Sequence, residues 1–151
     1  MIKTYIIDGN NLMGKIPELF KLMKTDGNGS RVKLARMLDD YFRGKKQKIS
    51  LHFDGFPAEG GVRASKCKIQ YSENRTADDN IKDEISHAKN PKVLCVISSD
   101  FSVKQFAQKN ACFVKTSEEF FAEMEAANRV NEETEKIKNI DNDEIKKLFG
   151  L

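Results

Sequence analysis

Apolar positions along the chain follow two rhythms: short β-branched runs that stop at polar residues, and stretches in which they return every three or four positions. Ile2 to Ile7 closes on Asp8-Gly9-Asn10-Asn11, Lys48 to Phe53 on Asp54-Gly55, and Val93 to Ile97 on Ser98-Ser99-Asp100. Each reads as a strand ended by turn residues. Cys67 to Tyr71 and Ala111 to Val114 read as two more. Because Val93 to Ile97 is apolar throughout, it implies burial on both faces, as in a parallel sheet.

The helical rhythm runs from about Arg31 to Arg43, where Ser30 can cap and Val32, Ala35, Leu38, Tyr41 and Phe42 share a face. Thr76 with Asp79 resembles a capping box for a helix striped by Ala77, Ile81, Ile85 and Ala88. A short helix is predicted through Val103, Phe106 and Ala107, and another from Thr116, boxed with Glu119, to about Asn128. Residues 129–141 are charged, lack aromatics and read as helix extension or linker. Asp141 with Glu144 then caps a last helix carrying Ile145, Leu148 and Phe149. This order predicts a single-domain, three-layer α/β fold with a mainly parallel central sheet and helices on both faces. Residues 1–128 form the domain, and 129–151 a charged linker and terminal helix packing on it.

Composition supports one globular domain. At 151 residues, folding buries roughly 70% of the unfolded chain's surface. With 39% hydrophobic and 32% charged residues, 9 Gly and 3 Pro, the collagen-like and disordered classes are excluded. No run approaches the ~20 apolar residues of a membrane helix, and Met1-Ile2-Lys3 passes straight into the first strand, so neither a membrane span nor a signal peptide is expected. Cys67, Cys95 and Cys112 form no C-x-x-C pair and read as small buried hydrophobes in a reduced, cytoplasmic compartment. His52 and His87 stand isolated, which leaves no nitrogen–sulfur zinc set.

The net charge of +3 hides an asymmetry: residues 1–115 carry 21 Lys+Arg against 13 Asp+Glu, and residues 116–151 carry 5 against 10. The basic clusters, Arg43-Lys45-Lys46-Lys48 and Arg63-Lys66-Lys68-Arg75, suit a polyanion such as nucleic acid, although charge alone also fits a solvated surface. No G-x-x-x-x-G-K-[ST] or G-x-G-x-x-G motif is present, so no nucleotide cofactor is expected.

The chemistry therefore falls to carboxylates. Asp8, Asp54 and Asp100 each follow a strand, and Asp78 and Asp79 open a helix after another. In a parallel sheet these positions share one rim, where ligands bind near the point at which strand order reverses. Each acid alone has a structural explanation as a turn or cap residue. Together, crowded like charges call for a cation, and an all-oxygen donor set favours Mg²⁺ or Mn²⁺. Such ions suit phosphoryl chemistry.

Ile6-Ile7-Asp8-Gly9-Asn10-Asn11-Leu12, Phe53-Asp54, Thr76-Ala77-Asp78-Asp79-Asn80-Ile81 and Ser98-Ser99-Asp100, in that order, resemble the successive motifs of the YacP-like NYN-domain family of PIN-like endoribonucleases. Glu144-Ile145-Lys146-Lys147-Leu148-Phe149 is similar to that family's terminal helix. The resemblance implies a PIN-like fold and metal-dependent RNA cleavage, in some members on mRNA at the ribosome. It implies Asp8, Asp78 and Asp100 as the metal-binding acids, with Asn11 and Ser99 orienting them or the phosphate. Asp54 and Asp79 are implied either as further ligands or as neighbours that hold the ligands. Asn10 stands where the family usually has an aromatic, and Arg75 where it has an acid. RNA contact is expected from Arg75, Lys45, Lys46, Lys48, Arg63 and Lys66, which flank strands whose ends carry the acids. Two alternatives stay open: an RNA- or ribosome-binding module that does not cleave, and a phosphohydrolase for small phosphoesters. The second is disfavoured because Asp8-Gly9-Asn10 lacks an acid two residues on.

Overall fold

The computed structural model describes residues 1–148. Phe149 lies outside the described residues, as do the side chains of Asp141 and Ile145. Five strands, β1 (Thr4–Asp8), β2 (Lys48–Phe53), β3 (Cys67–Tyr71), β4 (Leu94–Ile97) and β5 (Phe113–Lys115), form one sheet in the order β3-β2-β1-β4-β5. Every pairing is parallel, with Thr4 against both Lys48 and Leu94. The β4 segment starts one residue later than its apolar run, because Asn90 caps a 3-10 turn over Pro91–Val93.

Six α-helices connect and follow the strands: α1 (Gly9–Lys15), α2 (Pro17–Met23), α3 (Gly27–Tyr41), α4 (Ala77–His87), α5 (Phe101–Lys109) and α6 (Ser117–Leu148). The chain leaves β1 toward β2 through α1–α3, and returns from β3 past β1 to β4 through α4. Right-handed crossovers in opposite directions place their helices on opposite faces. Side-chain parity agrees. Ile6 packs with Ile81 and Ile85 of α4 and Val103 and Ala107 of α5, whereas the ring of Tyr5, one residue earlier, lies 5.0 Å from that of Phe42 at the end of α3.

By compactness the chain divides after Phe121 into two units. The first contains the whole sheet. Among the described residues the second consists of α6 from Ala122 onward; α6 runs unbroken through the charged stretch, so of the two readings of residues 129–141, helix extension and linker, the structure has the extension. Residues 117–148 contain no Gly or Pro, and Glu132 and Lys136 stand at the i,i+4 spacing that supports a helix.

Helix α1 arises where the sequence predicts a turn, and α2 where it predicts no element. Gly9-Asn10-Asn11 has weak helix propensity, but the Asp8 carboxylate caps α1 and Leu12, Met13 and, in α2, Leu19 are buried. Helix α3 starts earlier than expected, capped by Asp26, whose carboxylate accepts from Gly29 N at 2.9 Å. Ser30, the expected cap, is instead buried and donates to Leu19 O at 3.1 Å.

Candidate active site

Strand order reverses between β1 and β4, and the carboxyl ends of these neighbours bring Asp8 beside Ser98-Ser99-Asp100. Asp8 is buried, with 5% of its surface exposed. Its Oδ2 accepts from Ser98 Oγ at 2.9 Å, and its Oδ1 faces Asn11 N at 3.5 Å. Burial pushes the carboxyl up, Ser98 holds it back, and the charges of Asp78 and Asp54 add to the rise; the result is about 6. Asp78, in the first turn of α4, is also raised, by burial first and then by Asp100, with Asp54 and Asp79 contributing and Lys82 opposing. Asp8, Asp54, Asp78, Asp79 and Asp100 thus share one electrostatic neighbourhood at one rim.

Each acid is held by its helix or strand end. Thr76 caps α4, accepting from Asp79 N at 3.1 Å, and this fixes the turn that carries Asp78. Asp100 caps α5 by accepting from Val103 N at 3.1 Å, while its own N–H donates to Ser98 Oγ. Asp54 links two elements, accepting from Ala77 N at 2.8 Å and donating its N–H to Asn10 Oδ1 at 3.0 Å. Asn10 therefore braces the β2 end. Arg31 of α3 braces the same loop, donating to Asp54 O and Phe56 O while its guanidinium stands 5.4 Å from the Phe53 ring and 5.3 Å from that of Tyr71.

Asn11 and Ser99 point toward α6. Asn11 Oδ1 accepts from Ser99 N at 2.9 Å and Ser117 Oγ at 2.7 Å. Ser99 Oγ donates to Glu118 Oε1 at 2.7 Å and accepts from Ser117 N. The Ser99 hydroxyl, with Lys15 3.7 Å away, keeps the exposed Glu118 carboxyl below its ordinary value. Both residues thus brace the junction of β1, β4 and α6 and introduce a sixth acid, Glu118, which sequence reasoning missed. Lys82 was missed as well, although its i+4 spacing from Asp78 was visible.

The basic residues do not gather at this rim. In a parallel sheet, residues preceding and following a strand lie at opposite ends. Lys45, Lys46, Lys48 and Lys66 precede or open β2 and β3, whereas the acids follow or close strands; β2 alone spans about 17 Å. Lys46, Lys48 and Lys66 line a 590 Å³ cavity with Lys68, Ser50 and Gln70. The Lys45 ammonium stands 3.8 Å from the centre of the Tyr41 ring. Arg63 is exposed in the β2–β3 loop. Arg75 does precede α4, but its guanidinium pairs with Asp83 at 2.6 Å.

A second polar cluster lies along β2. His52 is buried, and its Nε2 lies 2.8 Å from Glu84 Oε1 and 3.2 Å from Ser50 Oγ; Ser50 donates to the same Glu84 oxygen at 2.6 Å. Both partners meet one ring nitrogen, so the trio is a closed bracket and not a nucleophile–base–orienter relay. The three cysteines are buried, and burial pushes the Cys67 thiol up to about 12, so it is inert as a nucleophile.

Hard carboxylate oxygens crowded so that their charges raise Asp8 and Asp78 are a donor set suited to a divalent cation. Among the described residues, no three His, Cys, Asp or Glu side chains are arranged to hold an ion as they stand. Oxygens of Asp8 and Asp100 are engaged by Ser98 and by Val103 N. The donor chemistry fits a cation. No helix among the described residues is long and apolar enough to cross a membrane.

The family model for the YacP-like NYN domain matches residues 5–149. Among solved structures, Rae1 (YacP) from Bacillus subtilis superposes with a TM-score of 0.73 at 21% identity, covering 91% of this chain and 83% of that one. A tryptophan-to-leucine mutant of the same protein gives 0.75 at 20% identity, covering 91% and 85%. At such identity the likeness carries the fold alone. No curated protein matches.

Proposed function

The chain belongs to the YacP-like NYN domain family, a nuclease-like family, and from its carboxylate rim we propose that it is a divalent-metal-dependent endoribonuclease hydrolysing phosphodiester bonds in RNA. The observation that carries this reading is Asp8: a buried acid raised to about 6 by burial and by Asp78 and Asp54, at the switch point of the sheet. A buried carboxylate beside like charges is costly unless a cation meets it. Asp8, Asp78 and Asp100 would hold Mg²⁺ or Mn²⁺, with Asp54 and Asp79 close enough to add charge. When bound, the ion polarises the phosphodiester and makes a water more nucleophilic.

This chain's own residues supply the frame. Ser98 anchors Asp8 and, through the Asp100 N–H, the turn that carries Asp100. Asp54 ties the β2 end to the first turn of α4. Lys82 places a positive charge near Asp78, easing the approach of a phosphate to an acidic rim.

The test is to incubate single-stranded and structured RNA with the protein in Mg²⁺, Mn²⁺ or EDTA and map the ends. Internal cuts are expected with either metal and none in EDTA or with Asp100→Asn. Cleavage that persists in EDTA overturns the reading. RNA binding of equal strength in all three conditions, with no product, makes the protein a binding module.

A further inference from the structure

Phe101 is 72% exposed, although it directly follows a proposed metal ligand and opens a helix whose buried face is built from Val103 and Ala107. The core therefore does not use this ring. The Asp100 carboxylate's bond to Val103 N fixes the turn that carries Phe101, so the residue's backbone has a set place beside Asp100. The next residue, Ser102, accepts a 2.6 Å hydrogen bond from Lys82 Nζ. Lys82 belongs to α4, one turn beyond Asp78, and its charge acts on that acid. An ammonium has three N–H donors, and Ser102 takes one. The first turn of α5 thus presents an exposed aromatic side chain directly after Asp100, and the α4 ammonium bonded to its Ser102 acts on Asp78.

A strand of nucleic acid has one chemistry for each of these groups. Its phosphates meet the ammonium, and an unpaired base stacks on the ring; stacking is sequence-tolerant because every base has a π-face. We propose that Phe101 and Lys82 form a nucleotide subsite at the rim, in which the base beside the scissile phosphodiester stacks on Phe101 while Lys82 pairs with its phosphate. The choice of RNA as occupant rests on the nuclease reading above. A base must leave its helix to reach the ring, so the subsite selects single-stranded segments over duplex.

The chain contains no Trp, so Phe101→Trp introduces a single fluorescent reporter. It is titrated in EDTA with an end-labelled single-stranded octaribonucleotide, binding being followed independently by anisotropy of the label. Tryptophan quenching that tracks binding is expected, with little quenching by an abasic strand of the same length. Phe101→Ala is expected to weaken single-strand binding roughly 5- to 150-fold, the range of alanine substitution at stacking platforms, and to raise KM more than it lowers kcat. Lys82→Gln is expected to flatten the log–log salt dependence by about 0.7, one phosphate contact. Circular dichroism checks that each variant folds.

Saturated binding with unchanged Trp emission, or equal quenching by the abasic strand, overturns the subsite. So does metal-dependent cleavage by Phe101→Ala with unaltered KM, a result that leaves the nuclease reading standing. Base-dependent quenching without cleavage in any metal supports the subsite and removes hydrolysis. Absence of any oligonucleotide binding overturns the subsite, and the nuclease reading is then decided by cleavage in Mg²⁺ or Mn²⁺.

Discussion

Asp8 Oδ2 accepts a 2.9 Å hydrogen bond from the hydroxyl of Ser98, which stands 90 residues later in the chain. The bond joins the two strands at which sheet order reverses and favours the charged form of an acid that burial pushes toward neutrality. With a value of about 6, Asp8 is mostly ionised at pH 7.5 but in an environment that resists its charge.

Asp8→Asn should therefore stabilise the metal-free protein at pH 7.5. The folded value lies above the unfolded value of 3.8, so the stability that the neutral acid contributes is full below about pH 3.8 and lost as pH rises through about 6. Roughly two pKa units correspond to about 3 kcal/mol. Allowing for a weakened hydrogen-bond set, the variant should gain about 1–3 kcal/mol at pH 7.5 and nothing at pH 4. Urea denaturation in EDTA at the two pH values measures this. A gap that does not change with pH would show that Asp8 is not strained by its surroundings.

Glu84 has the opposite sign. Burial raises its carboxyl, but hydrogen bonds from His52, Ser50 and Gln70 outweigh burial and hold it below the ordinary value of 4.5. A depressed carboxyl contributes stability that is present above about pH 4.5 and lost as pH falls through the folded value. Glu84→Gln should cost about 1–3 kcal/mol at pH 7 and should lose less than the wild type on acidification from pH 5 to 3. Parallel acid titrations of the two proteins, followed by circular dichroism, decide the point.

At Asp100, catalysis and capping can be separated. Asparagine caps as well as aspartate, whereas alanine does not. Asp100→Asn should keep wild-type stability and lose roughly 100-fold or more in cleavage, as when a charge-stabilising group is removed. Asp100→Ala should lose cleavage equally and also about 1 kcal/mol of stability. Equal stability of the two variants, by thermal unfolding, would deny the cap its role.

The strands and their acids were legible because β-branched runs closed by Asp-Gly or Ser-Ser-Asp leave little choice of element or of rim. Helices α1 and α2 were not, since Gly9, Asn10 and Asn11 favour turns on their own and turn helical only under the Asp8 cap and the burial of Leu12 and Met13. The lysines show a different limit. Lys46 and Lys48 stand beside β2 in the sequence as in the structure, but adjacency to a strand does not say which end of it faces the site. Lys82 and Phe101 belong to neither basic run, yet Lys82 acts on Asp78 and Phe101 directly follows Asp100, because helices α4 and α5 start at the rim. Asn11 and Ser99 stand within the sequence motifs, yet their partners, Ser117 and Glu118, meet them only where α6 comes beside β1 and β4.

The two glycines of α1 should respond oppositely to alanine. A Cβ on Gly9 would lie 2.6 Å from His52 O and 2.8 Å from atoms of the Phe53 ring. The first contact is with backbone of β2 and cannot yield without moving the strand. Gly9→Ala should therefore cost about 1–3 kcal/mol and, by displacing the neighbouring Asp8, lower cleavage as well. A Cβ on Gly14 meets nothing within 4 Å, so Gly14→Ala should be neutral or add about 0.5–1 kcal/mol through lower unfolded-state entropy. Denaturant midpoints of both variants, with RNA cleavage in Mg²⁺, test the pair. If Gly9→Ala is as stable and active as Gly14→Ala, the close approach of α1 to β2 does not position Asp8, and the register of the site must be set from the β4 side through Ser98.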